Sequence, residues 1–195
     1  MEFYASHREL VPFLSTALSG ARGNDSFEVL VVGCGTSRLP LDLHRAGVRN
    51  VSAIDRSPSA VAHQVAAAAA ARVEDLDFSC CDATCMAEEL PDAVFDCIID
   101  KACGDTLLCA GGEVGDRAHG ALVRESARVC IPGGTFVTVS LHSPALLLPR
   151  LMAPLGAVAD SPLWEGPPQV ARVPRPDADA GSGDFFVYVA RRRRV

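Results

Sequence analysis

Four short segments carry side chains whose chemistry contrasts with the apolar runs before them: Gly33-Cys34-Gly35, Asp55-Arg56, Asp82-Ala83 and Asp100-Lys101. The preceding runs, Phe27 to Val32, Val48 to Ile54, Leu76 to Cys80 and Val94 to Ile99, have the composition of strands buried on a sheet. In an open α/β sheet, ligands bind beyond the carboxyl ends of the strands, so all four segments are expected on one rim. The glycines permit a tight turn that brings backbone close to a ligand. Asp55, 22 residues after Gly33, can accept hydrogen bonds from a ribose diol. A glycine pair with an acid after the next strand is common to dinucleotide-binding and methyl-donor-binding proteins. The third glycine of a dinucleotide loop is replaced here by Arg38.

The ligand's own chemistry separates the two readings. A nucleotide-dependent oxidoreductase cradles a pyrophosphate on a helix N-terminus and needs a catalytic domain for which 195 residues leave little room. S-adenosylmethionine has no phosphate; its adenosine, amino-acid moiety and sulfonium cation suit a rim of carboxylates. On this reading Asp82 approaches the adenine amino group. The oxidoreductase remains the less favoured alternative.

The elements that would position these groups alternate. A helix is expected over residues 7–19, where Leu10, Phe13, Leu14 and Leu18 share a face, and another from Ser37 to Ala46, closed by Gly47. Ser57-Pro58 opens an alanine-rich helix of small residues suited to close packing on a sheet. A helix from Asp116 to Val129, a turn at Ile131-Pro132-Gly133-Gly134, a fifth strand from Thr135 to Leu141 and a helix from Pro144 to Leu155 follow. The last two strands, Gln169 to Val173 and Asp184 to Ala190, are joined too closely for a helical crossover and predict an antiparallel hairpin at the sheet edge. The expected architecture is one α/β domain over residues 1–195, with a doubly wound, mostly parallel seven-stranded Rossmann-like sheet and a C-terminal antiparallel hairpin. The run Arg191 to Arg194 reads as a solvated tail.

Composition bounds the partners. Hydrophobic residues make up 49% and charged residues 22%, ordinary for a globular chain. The 24 acidic and 18 basic side chains give a net charge of −6, which argues against general nucleic-acid binding; any polyanion partner would need a local basic patch. No apolar run is long enough to span a bilayer, and MEFYASHREL is charged where a signal peptide is apolar. The eight cysteines lie mostly in or beside apolar runs, as small buried hydrophobes in a reducing cytosol. Cys80, Cys81 and Cys85 fit no common zinc spacing, and the histidines at 7, 44, 63, 119 and 142 form no ligand set, so no metal is expected.

The stretches VLVVGCGTSRLPLDLHRAGVRNVSAID, FSCCDAT, FDCIIDKACGDTLL and IPGGTFVTVSL, spread over residues 27–141, resemble the class I seven-strand S-adenosylmethionine-dependent methyltransferases. They are most similar to the branch whose enzymes methylate lysines of elongation factor 1-alpha. The resemblance implies that Gly33, Cys34 and Gly35 wrap the amino-acid part of the cofactor, that Asp55 holds the ribose, that Arg56 lies beside the adenine, and that Asp82 and Ala83 meet its edge. That branch carries a D-K-G-T-L-D motif after strand four. Asp100 and Lys101 match its first two residues, beside cofactor and substrate, and Asp105 its last, whereas the middle reads Ala102-Cys103-Gly104. An upstream aromatic segment closes over the cofactor in that branch; Phe3 and Tyr4 resemble its tail, and His7 stands where tyrosine is common.

Methyl transfer from a sulfonium is an in-line displacement, so the protein supplies alignment, desolvation and a neutral nucleophile. The expected activity is methylation of a protein lysine or N-terminal amine, with Asp100 as the catalytic residue that orients the amine. The acidic balance suits a basic protein partner. A non-catalytic methyltransferase-fold binding module is the alternative from another class, motivated by the altered motif.

Overall fold

The computed structural model describes residues 6–21, 23–154, 162–174 and 183–194. Its elements, in chain order, are α1 (His7–Ala17), β1 (Glu28–Val32), α2 (Leu39–Arg45), β2 (Asn50–Asp55), α3 (Pro58–Ala70), β3 (Leu76–Cys80) and β4 (Phe95–Lys101). Then come α4 (Cys103–Leu108), α5 (Gly112–Val129), β5 (Cys130–Ser140), α6 (Pro144–Met152), β6 (Gln169–Val173) and β7 (Phe185–Arg191). The seven strands form one sheet in the order β3-β2-β1-β4-β5-β7-β6. The first five are parallel, and β7 runs antiparallel to both β5 and β6.

Side-chain alternation along the strands builds a core on each face of the sheet. Val29, Val31, Val51, Ala53, Cys97 and Ile99 pack with Leu10 and Leu14 of α1 and with Leu39 and Leu43 of α2. On the other face, Leu30, Val32, Ile54, Ile98 and Phe136 meet Leu122 and Val123 of α5, Leu147 and Leu151 of α6, and Trp164. Trp164 stacks on Phe136 with centroids 5.5 Å apart, and its indole N–H donates to the Leu151 carbonyl at 2.9 Å. Edge strand β3 has no fully buried residue, as expected where only one neighbour covers it.

Several details depart from the sequence reading. The turn expected at residues 131–134 is absorbed into β5 as an irregularity, since β4 pairs with Cys130 at Phe95 and next with Thr135 at Cys97. Helix α4 was not expected: six residues are too few to show helical periodicity, and it starts after Ala102, which has a left-handed φ of 73°. Cys34, Cys81, Cys97 and Cys130 are buried thiols, but Cys80, Cys85 and Cys109 are exposed, so three of the eight do not act as core residues. The arginine run is not a solvated tail. Arg191 pairs with Thr135, the Arg192 amide donates to the Gly134 carbonyl at 2.8 Å, and the Arg193 amide to the Leu163 carbonyl at 3.1 Å. An unpaired strand edge lay beside these residues, and their backbone continues its ladder whatever their side chains. Phe3, Tyr4 and Leu155 lie outside the described residues. No helix among the described residues is long and apolar enough to cross a membrane.

Candidate active site

Parallel pairing brings the ends of β1, β2 and β4 level, because Val32 pairs with both Ile54 and Asp100. Beyond them the chain forms a cleft with two lobes. One, of about 360 Å³, is lined by Asp55, Arg56, Asp82, Ala83 and Thr84; the other, of about 380 Å³, by Cys34, Gly35, Thr36, Ser37, Lys101 and Ala102. Gly33, Asp55, Cys103 and Thr106 line both.

The loop after β1 is held by its neighbours rather than by its own side chains. Asp55 accepts from the Gly35 amide at 2.8 Å through one oxygen and from the Ser57 amide at 2.9 Å through the other. Gln64, buried on α3, donates its two amide hydrogens to the carbonyls of Gly35 and Ser37, each at 2.8 Å. Its position as the one amide in an alanine-rich helix was a signal available in the sequence. Gly33 has φ 59°, and a Cβ there would come within 2.5 Å of Cys103 Sγ, so the end of β1 and the start of α4 can approach only with glycine at this position. Asp82 accepts from the Thr84 amide and hydroxyl, both at 2.8 Å and both through Oδ1, which leaves Oδ2 uncommitted to that turn. Cys34 is buried, and burial pushes its thiol up to about 12, so it is no nucleophile at neutral pH.

Asp100 stands apart from the other predicted residues. It is 1% exposed and lines neither lobe. It accepts from the Thr138 hydroxyl at 2.7 Å and from the Gly104 amide at 3.1 Å, and burial raises it to about 6 against these bonds. Its carboxylate therefore fastens the start of α4 to β5. Asp105, also buried, accepts from the Ser140 hydroxyl at 2.5 Å and the Leu141 amide at 2.8 Å, a second fastening of the same helix. A Cβ on Gly104 would lie 2.8 Å from Asp100 Oδ2 and 3.2 Å from the His119 ring, so the space beside residue 104 is taken by those two groups. His119 is 2% exposed with an unpartnered Nδ1, and burial and then Arg150 lower it to about 4, opposed by Asp105 and Asp116. The sequence reading gave His119 no site, passed over the lining residue Thr106, and noted Cys103 as part of the departure from the family's motif; these residues are brought together by α4 and its packing on α5.

Residues 30–138 match the methyltransferase domain family. The chain belongs to the class I, S-adenosylmethionine-dependent methyltransferases. Among curated proteins of this class it is similar to the human eEF1A lysine and N-terminal methyltransferase, 31% identical over 146 residues. That match covers 75% of this chain and 20% of the human protein, so the chain spans about a fifth of its relative's length. Among solved structures it is similar to the [4+2]-cyclase SpnF, with TM-score 0.69 and 19% identity, covering 98% of this chain and 84% of that one. It is also similar to a Burkholderia thailandensis 1,6-didemethyltoxoflavin-N1-methyltransferase solved with S-adenosylhomocysteine, with TM-score 0.66 and 22% identity, covering 95% and 77%. At such identities these two likenesses concern the fold. The methyltransferase cleft in this chain suits the cofactor of its class: it is lined by the Asp55 and Asp82 carboxylates and by a backbone loop whose Gly33 leaves no room for a Cβ beside Cys103.

Proposed function

We propose that this chain transfers a methyl group from S-adenosylmethionine to an amine of a protein, a lysine side chain or an N-terminal amine. The observation that carries the reading is the two-lobed cleft, whose carboxylates and glycine loop fall inside residues 30–138, which match the methyltransferase domain family, in a chain 31% identical over 146 residues to the eEF1A lysine and N-terminal methyltransferase. Asp55 holds the ribose hydroxyls on the faces of its oxygens left free by Gly35 and Ser57. Asp82 and Ala83, with Arg56 alongside, take the adenine edge, and Gly33, Cys34, Gly35 and Lys101 surround the amino-acid end. When bound, the cofactor supplies an electrophilic methyl carbon whose leaving group is a neutral thioether.

Cys103 borders both lobes and so stands at the wall where an amine would meet the methyl group. Asp100 is a positioning residue in this reading: through the Gly104 amide and Thr138 it fixes the turn that carries Ala102 and Cys103. The attacking nitrogen must be neutral. A partly desolvated cleft lowers an ammonium pKa and favours that form, and a protein surface of net charge −6 attracts a basic substrate.

The test is transfer of a labelled methyl group from S-adenosylmethionine by the full chain to lysine-containing and free-N-terminal peptides and to cell extract, with mass spectrometry locating the product. Methylated amine is expected. A chain that binds S-adenosylhomocysteine yet labels no amine in any of these would overturn the reading in favour of a binding module. Full turnover by Asp100→Ala at saturating cofactor would remove Asp100 from the mechanism.

A further inference from the structure

The opposite end of the sheet carries a second site. Arg192 exchanges backbone bonds with Gly133 and Gly134, in the first half of β5, whereas the cofactor cleft opens at the carboxyl ends of β1, β2 and β4. Backbone bonds beyond Arg191 fix the last residues in place: Glu165 donates to the Arg191 carbonyl at 2.9 Å, Gly133 to the Arg192 carbonyl at 3.0 Å, and Arg193 to the Leu163 carbonyl at 3.1 Å. Arg192, Arg193 and Arg194 thereby converge with Arg124 and Arg128 of α5 on a cavity of about 560 Å³. Among the described residues it shares no lining residue with the cofactor cleft, and no carboxylate lines it.

Arg128 and Arg192 are tied to their neighbours by hydrogen bonds. Arg128 binds Glu125 at 2.8 Å, Asp92 at 2.6 Å and the Leu90 carbonyl at 2.9 Å. Arg192 donates to the carbonyls of Arg128 and Cys130, where the end of α5 is negative. Their bonds hold both side chains rigid at the cavity wall. Arg193 has no carboxylate partner among the described residues, and Arg194 meets only Glu165, at 3.7 Å, which it shares with Arg191 at 3.8 Å. An acidic chain has gathered five guanidiniums around one concavity, and methyl transfer uses none of them.

We propose that this cavity binds a compact polyphosphate of the nucleoside triphosphate class. A phosphoryl group places more than one negative charge and three acceptor oxygens on a small centre, which matches closely set guanidinium forks better than single carboxylates do. The remaining walls, Ala127, Pro162 and Leu163, form an apolar shelf for a planar ring. The volume is that of a small-ligand pocket, whereas single-stranded RNA needs a groove that tracks consecutive phosphates.

The test is calorimetric titration of the full chain with ATP, and separately with inorganic tripolyphosphate, at physiological ionic strength. Saturating S-adenosylhomocysteine is present to block adenosine from the cofactor cleft. Saturable 1:1 ATP binding is expected, with tripolyphosphate weaker. The double variant Arg193→Ser, Arg194→Ser, whose side chains are exposed, should weaken ATP by about tenfold or more, the effect of losing charged hydrogen bonds, while S-adenosylhomocysteine affinity stays unchanged and reports folding. No saturable ATP binding, equal binding by the variant, or binding of a short RNA with none of ATP would each overturn the proposal. Failure of the methyltransferase reading shows in a different experiment, the transfer assay.

Discussion

Replacing Ala102 by glycine should stabilise the protein, although glycine usually destabilises. Ala102 sits at φ 73° and ψ −2°, between β4 and α4, with its amide donating to the Val139 carbonyl at 3.2 Å. A side chain in this left-handed region costs about 1–2 kcal/mol through the clash of Cβ with the following carbonyl. Glycine removes that cost but returns about 0.4–1 kcal/mol through a more flexible unfolded chain. Loss of a half-buried methyl takes back roughly half of the 0.8 kcal/mol for a buried carbon. The net is a gain of about 0.5 kcal/mol, or about 1–2 °C in Tm for a chain of this size. Two internal standards exist, because Arg72 and Ala93 are the other described non-glycine residues at positive φ, 58° and 54°, and both are exposed. Ala93→Gly loses no burial and should gain more than Ala102→Gly. Urea unfolding followed by circular dichroism gives the midpoints. If Ala102→Gly destabilised by the 0.5–1 kcal/mol that glycine costs in an ordinary element, while Ala93→Gly stabilised, the reasoning about this turn would be refuted.

Three further outcomes are expected. Asp100 keeps its proton to about 6 in the fold against 3.8 in the unfolded chain, so the native state binds more protons between those values and its stability falls as pH rises through them; His119, at about 4 against 6.5, gives the opposite slope. Asp100→Asn should therefore leave stability rising from pH 4 to 6 and His119→Gln leave it falling, and urea midpoints that moved in the same direction for both variants would contradict the assignment. Gly33→Ala places a Cβ 2.5 Å from Cys103 Sγ in a left-handed backbone, so titration should find S-adenosylhomocysteine affinity strongly reduced, and wild-type affinity would show the loop is not packed in this way. Trp164→Ala should lose about 3–5 kcal/mol in chemical denaturation, the cost of deleting a fully buried aromatic, since it removes both the stack on Phe136 and the bond to Leu151.

Most of the fold was legible because its signals are local. Strand β3 and strand β6 fall where their composition put them, and the other five strands differ by one to five residues at an end. Ten loop residues between the last two strands were enough to predict antiparallel pairing, although nothing in them told that β7, not β6, would lie against β5. Helix α4 carried no periodic pattern, and its start depends on a left-handed alanine where the family's motif has glycine.

The glycine loop, the acids at the ends of three strands and the net charge belong to the sequence by itself, because residue type and spacing determine which groups reach a strand's end and what they can bind. Where each side chain then points is a matter of packing between distant segments. Asp55 ends β2 and Asp100 is the penultimate residue of β4, yet Asp55 lines the cleft while Asp100 is drawn behind its wall by Thr138 and the Gly104 amide. Gln64 supports the loop from a helix that looked purely structural, and the arginine run joins the sheet because an open backbone edge lay beside it. These choices belong to tertiary structure, since a buried polar group must take whichever partner the fold brings within hydrogen-bond distance.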